Sequence, residues 1–108
     1  MLPIVVGDLT IHYDLRRVEV CGVTIQLRPR EWNILESLGL CAGSMVTREM
    51  LLAVCHPRAH RRPRDRSVDL AVSRARGKLA RASGGRNYIV AVDGGYVLRP
   101  PDPLPAEI

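Results

Sequence analysis

Residues 66–79, RSVDLAVSRARGKL, hold the side chains of this chain whose types and spacing best suit recognition of a ligand. If the segment is a helix, its 100° per residue gives it two different faces. One face is apolar and would anchor the helix to a core, through Val68, Val72, Ala75 and Leu79. The opposite face carries guanidinium groups, a hydroxyl and an aliphatic side chain, from Arg66, Leu70, Ser73, Arg74 and Gly77, with Arg76 and Arg81 on its flanks. These groups are the ones that contact base edges and phosphates in a major groove of DNA.

The positive charge of the chain is concentrated around this segment. Residues 56–86 contain nine Arg and one Lys against two Asp, a local charge of +8, whereas the remaining residues carry six basic and nine acidic groups. A basic block on a slightly acidic body predicts a polyanionic partner. A solvated loop beside a charged helix face is the alternative, but the arginines share a helix with an apolar stripe, which favours a binding face.

Length and composition exclude several classes of protein. The 108 residues fit one small domain, and because Phe is absent the core must be mainly aliphatic. No apolar run approaches the roughly 20 residues of a membrane span, and the first residues do not form a secretory signal. Three cysteines without a CxxC pair indicate reduced thiols, so we expect a cytoplasmic protein without a membrane partner.

The hydrophobic periodicity predicts an α+β order of elements. Alternation over the first 27 residues predicts a small antiparallel sheet, with a turn at Cys21-Gly22. One helix follows Pro29 and ends near residues 41–43, and a second is capped by Thr47. Residues 56–65 form a loop, the third helix covers about residues 66–82, and residues 88–98 form a hairpin around a glycine turn.

This order, together with four local motifs, resembles the DNA-binding output domain of OmpR/PhoB-type response regulators. The motifs are LRPREWNIL at 27–35, VTREMLL at 46–52, RSVDLAVSRARGKL at 66–79 and GYVL at 95–98. The resemblance covers about residues 4–99. It implies a winged helix-turn-helix fold, with an N-terminal antiparallel sheet, a three-helix bundle and a C-terminal hairpin wing. We therefore expect a winged-helix domain over residues 1–99 and a flexible, proline-rich tail over residues 100–108.

The function that the resemblance implies is sequence-specific binding of double-stranded DNA, which regulates transcription. In the family the third helix enters the major groove, and the wing lies on the backbone or in the minor groove. In the family, the loop between the second and third helices can contact RNA polymerase. The resemblance implies the same contact, or a contact with phosphate, for residues 56–65 of this chain, through the side chains of Arg58, Arg61, Arg62 and Arg64. Family members commonly bind direct repeats as head-to-tail pairs. The resemblance implies no enzymatic activity, no cofactor and no metal.

Individual site residues follow from the positions that match. Arg66 and Ser67 match positions that hold phosphates, and Leu70 matches an apolar position that can touch a thymine methyl group. Ser73 matches a polar position that contacts phosphate or a base edge. Arg74 and Arg76 match basic positions that contact base edges or phosphates, with Arg74 the first choice for guanine O6 and N7. Tyr96 matches a wing tyrosine whose hydroxyl can reach a phosphate.

Three departures from the family pattern affect this prediction. Asp93 stands where the wing usually carries a basic residue, and the wing turn is one residue shorter, which weakens the case for minor-groove contact. Cys55 replaces a tryptophan that is common at the end of the second helix. No receiver domain precedes the sheet, so we expect no phosphorylation switch of the usual kind, as in a stand-alone regulator or an excised output domain. Asp93, Gly77 and the short wing support an alternative, a winged-helix protein-interaction module with weak or nonspecific DNA affinity.

Other chemistry is less well supported by the residues. Cys55, His56 and His60 are too few and too loosely placed for a zinc site, which needs three or four rigid ligands. No catalytic motif of the common hydrolase or nucleotide-binding types occurs. Single-stranded nucleic acid requires exposed aromatic rings, and the aromatic residues lie outside the arginine-rich segment.

Overall fold

Two antiparallel sheets and three helices make up the computed structural model, which describes residues 2–55 and 66–101. The first sheet contains β1 (Ile4–Val6), β2 (Leu9–His12), β3 (Arg17–Val20) and β4 (Val23–Ile25), in that order. The next elements are α1 (Pro29–Leu40), β5 (Met45–Thr47), α2 (Arg48–Cys55) and α3 (Ser67–Ser83). The chain then forms β6 (Ile89–Val92) and β7 (Gly95–Leu98), and the second sheet has the order β5-β7-β6. The α+β winged helix-turn-helix class predicted from the sequence is confirmed.

The N-terminal sheet buries one face, as its alternating pattern predicts. Leu9, Ile11, Val18 and Val20 are at most 1% exposed and pair across β2 and β3. The turn between β3 and β4 uses Cys21 and Gly22 at φ 51° and 80°. Two successive positive φ angles suit the twist of a two-residue hairpin, so the predicted turn is confirmed and leaves the Cys21 thiol exposed.

Local capping groups set the ends of the helices. Pro29 occupies the first turn of α1, and the Glu31 carboxylate accepts the Arg28 backbone N–H at 3.3 Å. The Thr47 hydroxyl accepts the Met50 N–H at 3.2 Å, which confirms the predicted N-cap of α2. The helix α3 ends at Ser83 and is capped by Gly84, whose φ of 74° is left-handed and suits glycine.

The second sheet contains a strand that the sequence analysis did not predict. Residues Met45–Thr47 pair with β7, so the wing hairpin becomes the larger part of a three-stranded sheet. A Cβ atom on Gly95 would lie 2.1 Å from the Val46 carbonyl oxygen, so β5 and β7 can approach this closely only because residue 95 is glycine.

One aliphatic core lies between the sheets and the helices. It takes residues from every helix, among them Leu35, Leu51 and Val72, and from both sheets. None of the helices over residues 2–55 and 66–101 is long and apolar enough to cross a membrane. Pro100 and Pro101 lie beside Gly7. The rest of the predicted tail, residues 102–108, lies outside the described residues, and its flexibility stays a prediction.

Candidate nucleic-acid interface

The helix α3 presents the two faces that its sequence predicts. Val68, Val72, Ala75 and Leu79 are at most 2% exposed and pack into the core. On the opposite side Arg66, Ser73 and Arg74 are exposed, and the Leu70 side chain is 54% exposed. An exposed leucine between arginines can contact an apolar group of a ligand, such as the methyl group of a thymine. The amphipathic arrangement of this helix is therefore confirmed.

A network of three side chains connects the start of α3 with α2 and the wing. Arg48, the first residue of α2, forms a bidentate ion pair with Asp69, with Nη2 at 2.7 Å from Oδ2 and Nη1 in contact with Oδ1. The Tyr96 hydroxyl on β7 donates to the same Oδ1 at 2.7 Å. The Asp69 carboxylate thus accepts three hydrogen bonds from two other elements, and it fixes the first turn of α3 relative to both.

The pKa values in this network reflect those hydrogen bonds. The bond from Arg48, and to a smaller extent the bond from Tyr96, lower the pKa of Asp69 to about 2, although partial burial opposes the shift. Burial and the neighbouring Asp69 carboxylate raise the pKa of Tyr96 above its usual value. The carboxylate is therefore ionised, and the phenol is protonated, at neutral pH.

Tyr96 and Arg76, both predicted site residues, make hydrogen bonds within the protein. Tyr96 is 9% exposed and its hydroxyl is directed to Asp69. Arg76 is half-buried, and its Nε donates to the Ile89 carbonyl oxygen at 3.1 Å. Both side chains join α3 to the wing. The sequence analysis did not foresee these bonds, and the predicted contacts of Tyr96 and Arg76 with a ligand stay predictions.

The sequence analysis also missed Arg48 as a residue of this region. No local signal in the sequence points to Arg48, because its partner Asp69 lies 21 positions away and on another element. Asp69 holds Arg48 in a bidentate ion pair and so orients an arginine of α2.

The wing has a different chemical character from α3. Between residues 88 and 98 the only charged residue is Asp93, which is exposed in the turn between β6 and β7. The register places Val90, Val97 and Met45 in one cross-strand row, and Met45 is 45% exposed. The described wing therefore offers a carboxylate and an apolar face, and no cation for a phosphate.

The predicted contact loop lies outside the described residues. Arg58, Arg61, Arg62 and Arg64 of that loop are therefore not described. The same is true of His56 and His60, two of the three residues considered above as zinc ligands. Cys55 is buried at the end of α2. In the two described stretches, no group of three or more His, Cys, Asp or Glu residues could hold a metal ion.

Comparison with known proteins gives a consistent result. Residues 22–98 match the family model described as "Transcriptional regulatory protein, C terminal". The chain is 38% identical over 100 residues to the cell cycle response regulator CtrA of Brucella ovis, which covers 92% of this chain and 43% of that protein. The chain thus spans less than half the length of the curated relatives that it matches.

Two solved structures are similar to the fold over nearly the whole chain. The Klebsiella pneumoniae RstA DNA-binding domain, solved in complex with the RstA box, has a TM-score of 0.77 and 32% identity, and the match covers 93% of this chain and 99% of that chain. The DNA-binding domain of CpxR from E. coli has a TM-score of 0.79, with 94% and 100% of the two chains covered. At 23% identity, CpxR supports the fold alone. Because the family model matches well over half of the residues, the chain belongs to the family of transcriptional regulatory protein C-terminal domains, the OmpR/PhoB-type DNA-binding domains that its motifs resemble.

Proposed function

We propose that this domain binds specific sites in double-stranded DNA and regulates transcription, with the outward face of α3 in the major groove. The observation that carries the proposal is the division of α3 into a buried aliphatic stripe and an exposed stripe of arginine, serine and leucine. A major groove about 12 Å wide admits one helix with its side chains. The family membership and the DNA complex of the RstA domain support the same ligand.

The exposed residues of α3 have distinct roles in this proposal. Arg74 is exposed at the centre of the face and has no acidic partner in the described chain, so it can place two N–H groups on guanine O6 and N7. Leu70 contacts a thymine methyl group, and Ser73 contacts a base edge or a phosphate. Arg66 and Ser67, in the first turn, bind phosphates. A bidentate base contact of this kind discriminates by about 1–3 kcal/mol.

Arg48, Asp69 and Tyr96 position α3 rather than supply its positive field. The Arg48 charge is neutralised by Asp69 at bonding distance, so the attraction for phosphate comes mainly from the other arginines. The network instead holds the angle between α2 and α3 and the distance to the wing. Small errors in that geometry would misplace every base contact, because such contacts require alignment within a fraction of an ångström.

Further partners belong to the same proposal. The loop over residues 56–65 would contact RNA polymerase, and two copies would bind direct repeats head to tail, as in other members of the family. DNA as the ligand implies a cytoplasmic site of action. The matched relatives are more than twice as long as this chain. Regulation of transcription by a longer protein that contains this domain is therefore also a proposal.

Selection from a random pool of duplex DNA tests the proposed function. We expect an enriched sequence motif, and we expect none when Arg66 and Arg74 are both replaced by Ala. The apolar row on the wing, with its exposed Met45, and Asp93 favour a second candidate, a protein-interaction module. If the protein retains DNA without enriching any motif, and releases that DNA when salt is added, the result would support this second candidate and contradict specific binding.

A further inference from the structure

The start of α1 brings two arginines next to α3. Arg28 and Arg30 are exposed, and together with Leu70 and Arg74 they line a groove of about 330 Å³. The other residues of the groove wall are Pro29, Glu31, Ser67 and Ala71. The proposed base-contacting stripe of α3 is therefore one wall of this groove, and the start of α1 is the facing wall.

A second depression lies on the other side of the same stripe. Arg48, Arg66, Asp69 and Leu70 line it. Leu70 is common to both depressions, so it lies between a pair of arginines from α1 on one side and Arg48 with Arg66 on the other. A helix in the major groove has a sugar–phosphate backbone on each side of it. The α1 pair and Arg66 therefore lie where the two backbones would be, since Asp69 already neutralises the charge of Arg48.

The acidic residue in the groove does not cancel the charge of the α1 arginines. Glu31 is 2% exposed, and its Oε1 accepts from Lys78 Nζ at 2.5 Å and from the Arg28 backbone N–H at 3.3 Å. Within the described part of the chain, neither Arg28 nor Arg30 forms an ion pair. Their guanidinium charges are thus available to an anion outside the protein.

The wing lacks the groups that would make a comparable contact. No lysine, arginine or histidine occurs between residues 88 and 98, and Asp93 would repel a phosphate. Phosphate contacts set the register and orientation of a protein on the duplex. A winged-helix domain that binds phosphates on only one side of its recognition helix would therefore be poorly oriented on the DNA. The arginines at the start of α1 can supply the contact on the second side.

We propose that Arg28 and Arg30 form a second phosphate-binding edge, which contacts the DNA strand on the α1 side of the recognition helix. This inference rests on the proposed function, because it assumes that α3 occupies a major groove. It assigns to α1, which otherwise serves the core, a direct part in binding. The edge holds the backbone of any sequence, so it contributes affinity and orientation rather than base discrimination.

The test is the salt dependence of DNA affinity in the double variant Arg28→Ser, Arg30→Gln. Serine is a better N-cap than arginine and glutamine is a good helix former, so both changes keep α1 stable. Loss of two phosphate contacts makes the slope of log K against log salt less negative by about 1.8, so the loss of affinity relative to the wild type grows about fourfold for each halving of the salt concentration. The preference for the selected site over random DNA should remain.

The matched control is Arg99→Gln, which removes one charge from an exposed arginine just after β7. Its salt slope should equal that of the wild type. Ethylation interference on the selected site adds positional information. The wild type should be sensitive to phosphate ethylation on both sides of the recognition helix, and the double variant on one side only.

Two failures can be told apart. Suppose that the wild type selects a motif, but that the double variant keeps the wild-type salt slope or loses no more DNA affinity than Arg99→Gln. The proposed phosphate-binding edge on α1 is then wrong, and the proposed function stands. If the wild type selects no motif, the proposed function fails and the edge fails with it. A urea unfolding curve for the double variant, unchanged or shifted to higher urea, excludes misfolding as the cause of weaker binding.

Discussion

The outward face of α3 and the wing are neighbours in this domain, but their surfaces differ in chemistry. The α3 face exposes Arg66 and Arg74 around a leucine, whereas the wing sheet exposes Val92, Met45 and one aspartate. Both elements are standard parts of the winged-helix fold. The fold therefore provides two surfaces that could meet DNA, and only the side chains decide which one does.

The same two regions are bound together where they meet. The Tyr96 hydroxyl of β7 donates to Asp69 of α3, and Arg76 of α3 donates to the Ile89 carbonyl of β6. Polar residues of α3 thus serve two purposes, since those near the wing fix its position and those farther around the helix stay exposed. The comparison predicts that substitutions on α3 change DNA binding directly, while substitutions at the junction act through geometry.

The largest expected effect is that of Arg74→Ala on specific binding. Loss of a bidentate guanine contact should lower the affinity for the selected site by about 10- to 100-fold, with a smaller loss on random DNA. Quantitative gel shifts on both kinds of duplex measure the two losses. An equal loss on both would mean that Arg74 contacts phosphate only.

Arg81→Ala is the matched control for that variant. Arg81 is exposed and lies in the last turn of α3, seven residues beyond Arg74. Recognition helices contact base edges mainly through their N-terminal residues. We expect Arg81→Ala to leave the ratio of specific to nonspecific affinity unchanged. A loss of specificity as large as that of Arg74→Ala would place the base contacts nearer the C-terminus of α3.

The next effect is that of Asp69→Asn on stability. The change removes the ion pair with Arg48, and the free energy of unfolding at neutral pH should fall by about 1 kcal/mol. The loss is modest because the Asp69 side chain is 38% exposed and solvent screens the pair. Urea unfolding checks the value, with Asp93→Asn as the control that removes an exposed carboxylate from the wing turn.

The difference in unfolding free energy between the wild type and Asp69→Asn should decrease at acidic pH. The pKa of Asp69 is lowered from 3.8 to about 2 in the folded domain, so its contribution to stability is fully present above pH 3.8. The contribution is lost as the pH falls from 3.8 towards 2. The wild type and Asp69→Asn should therefore converge in unfolding free energy over that range. A difference that stays constant down to acidic pH would show that the ion pair is not its source.

The smallest effect is expected for Asp93→Arg in the wing turn. Replacing a carboxylate with a guanidinium should tighten binding several-fold on every sequence, and should make the salt slope more negative by about 0.9 for one new phosphate contact. Asp93→Ser, which removes the charge without adding one, separates relief of repulsion from a new attraction. Unchanged affinity and slope in Asp93→Arg would remove the wing from the interface.

Several features could be predicted from the sequence because they depend on local interactions. The two faces of α3 follow from a repeat of 3.6 residues, and the Thr47 cap depends on an N–H only three residues away. The turn at Cys21-Gly22 follows from short strands on both sides of a glycine. The strand β5 could not be predicted in this way, because three residues show no periodicity and their partner strand is β7, near the other end of the domain.

The identity of the outward residues of α3, and hence the kind of ligand they suit, was determined by the sequence alone, since helical geometry and residue type are local properties. Only the tertiary structure decided which of those residues stay available. Tyr96 and Asp69 are 27 positions apart, and Arg48 and Asp69 are 21 apart. Such bonds exist only after the core has packed α2, α3 and the wing together, because aliphatic burial, rather than the polar pairs themselves, brings these elements into contact.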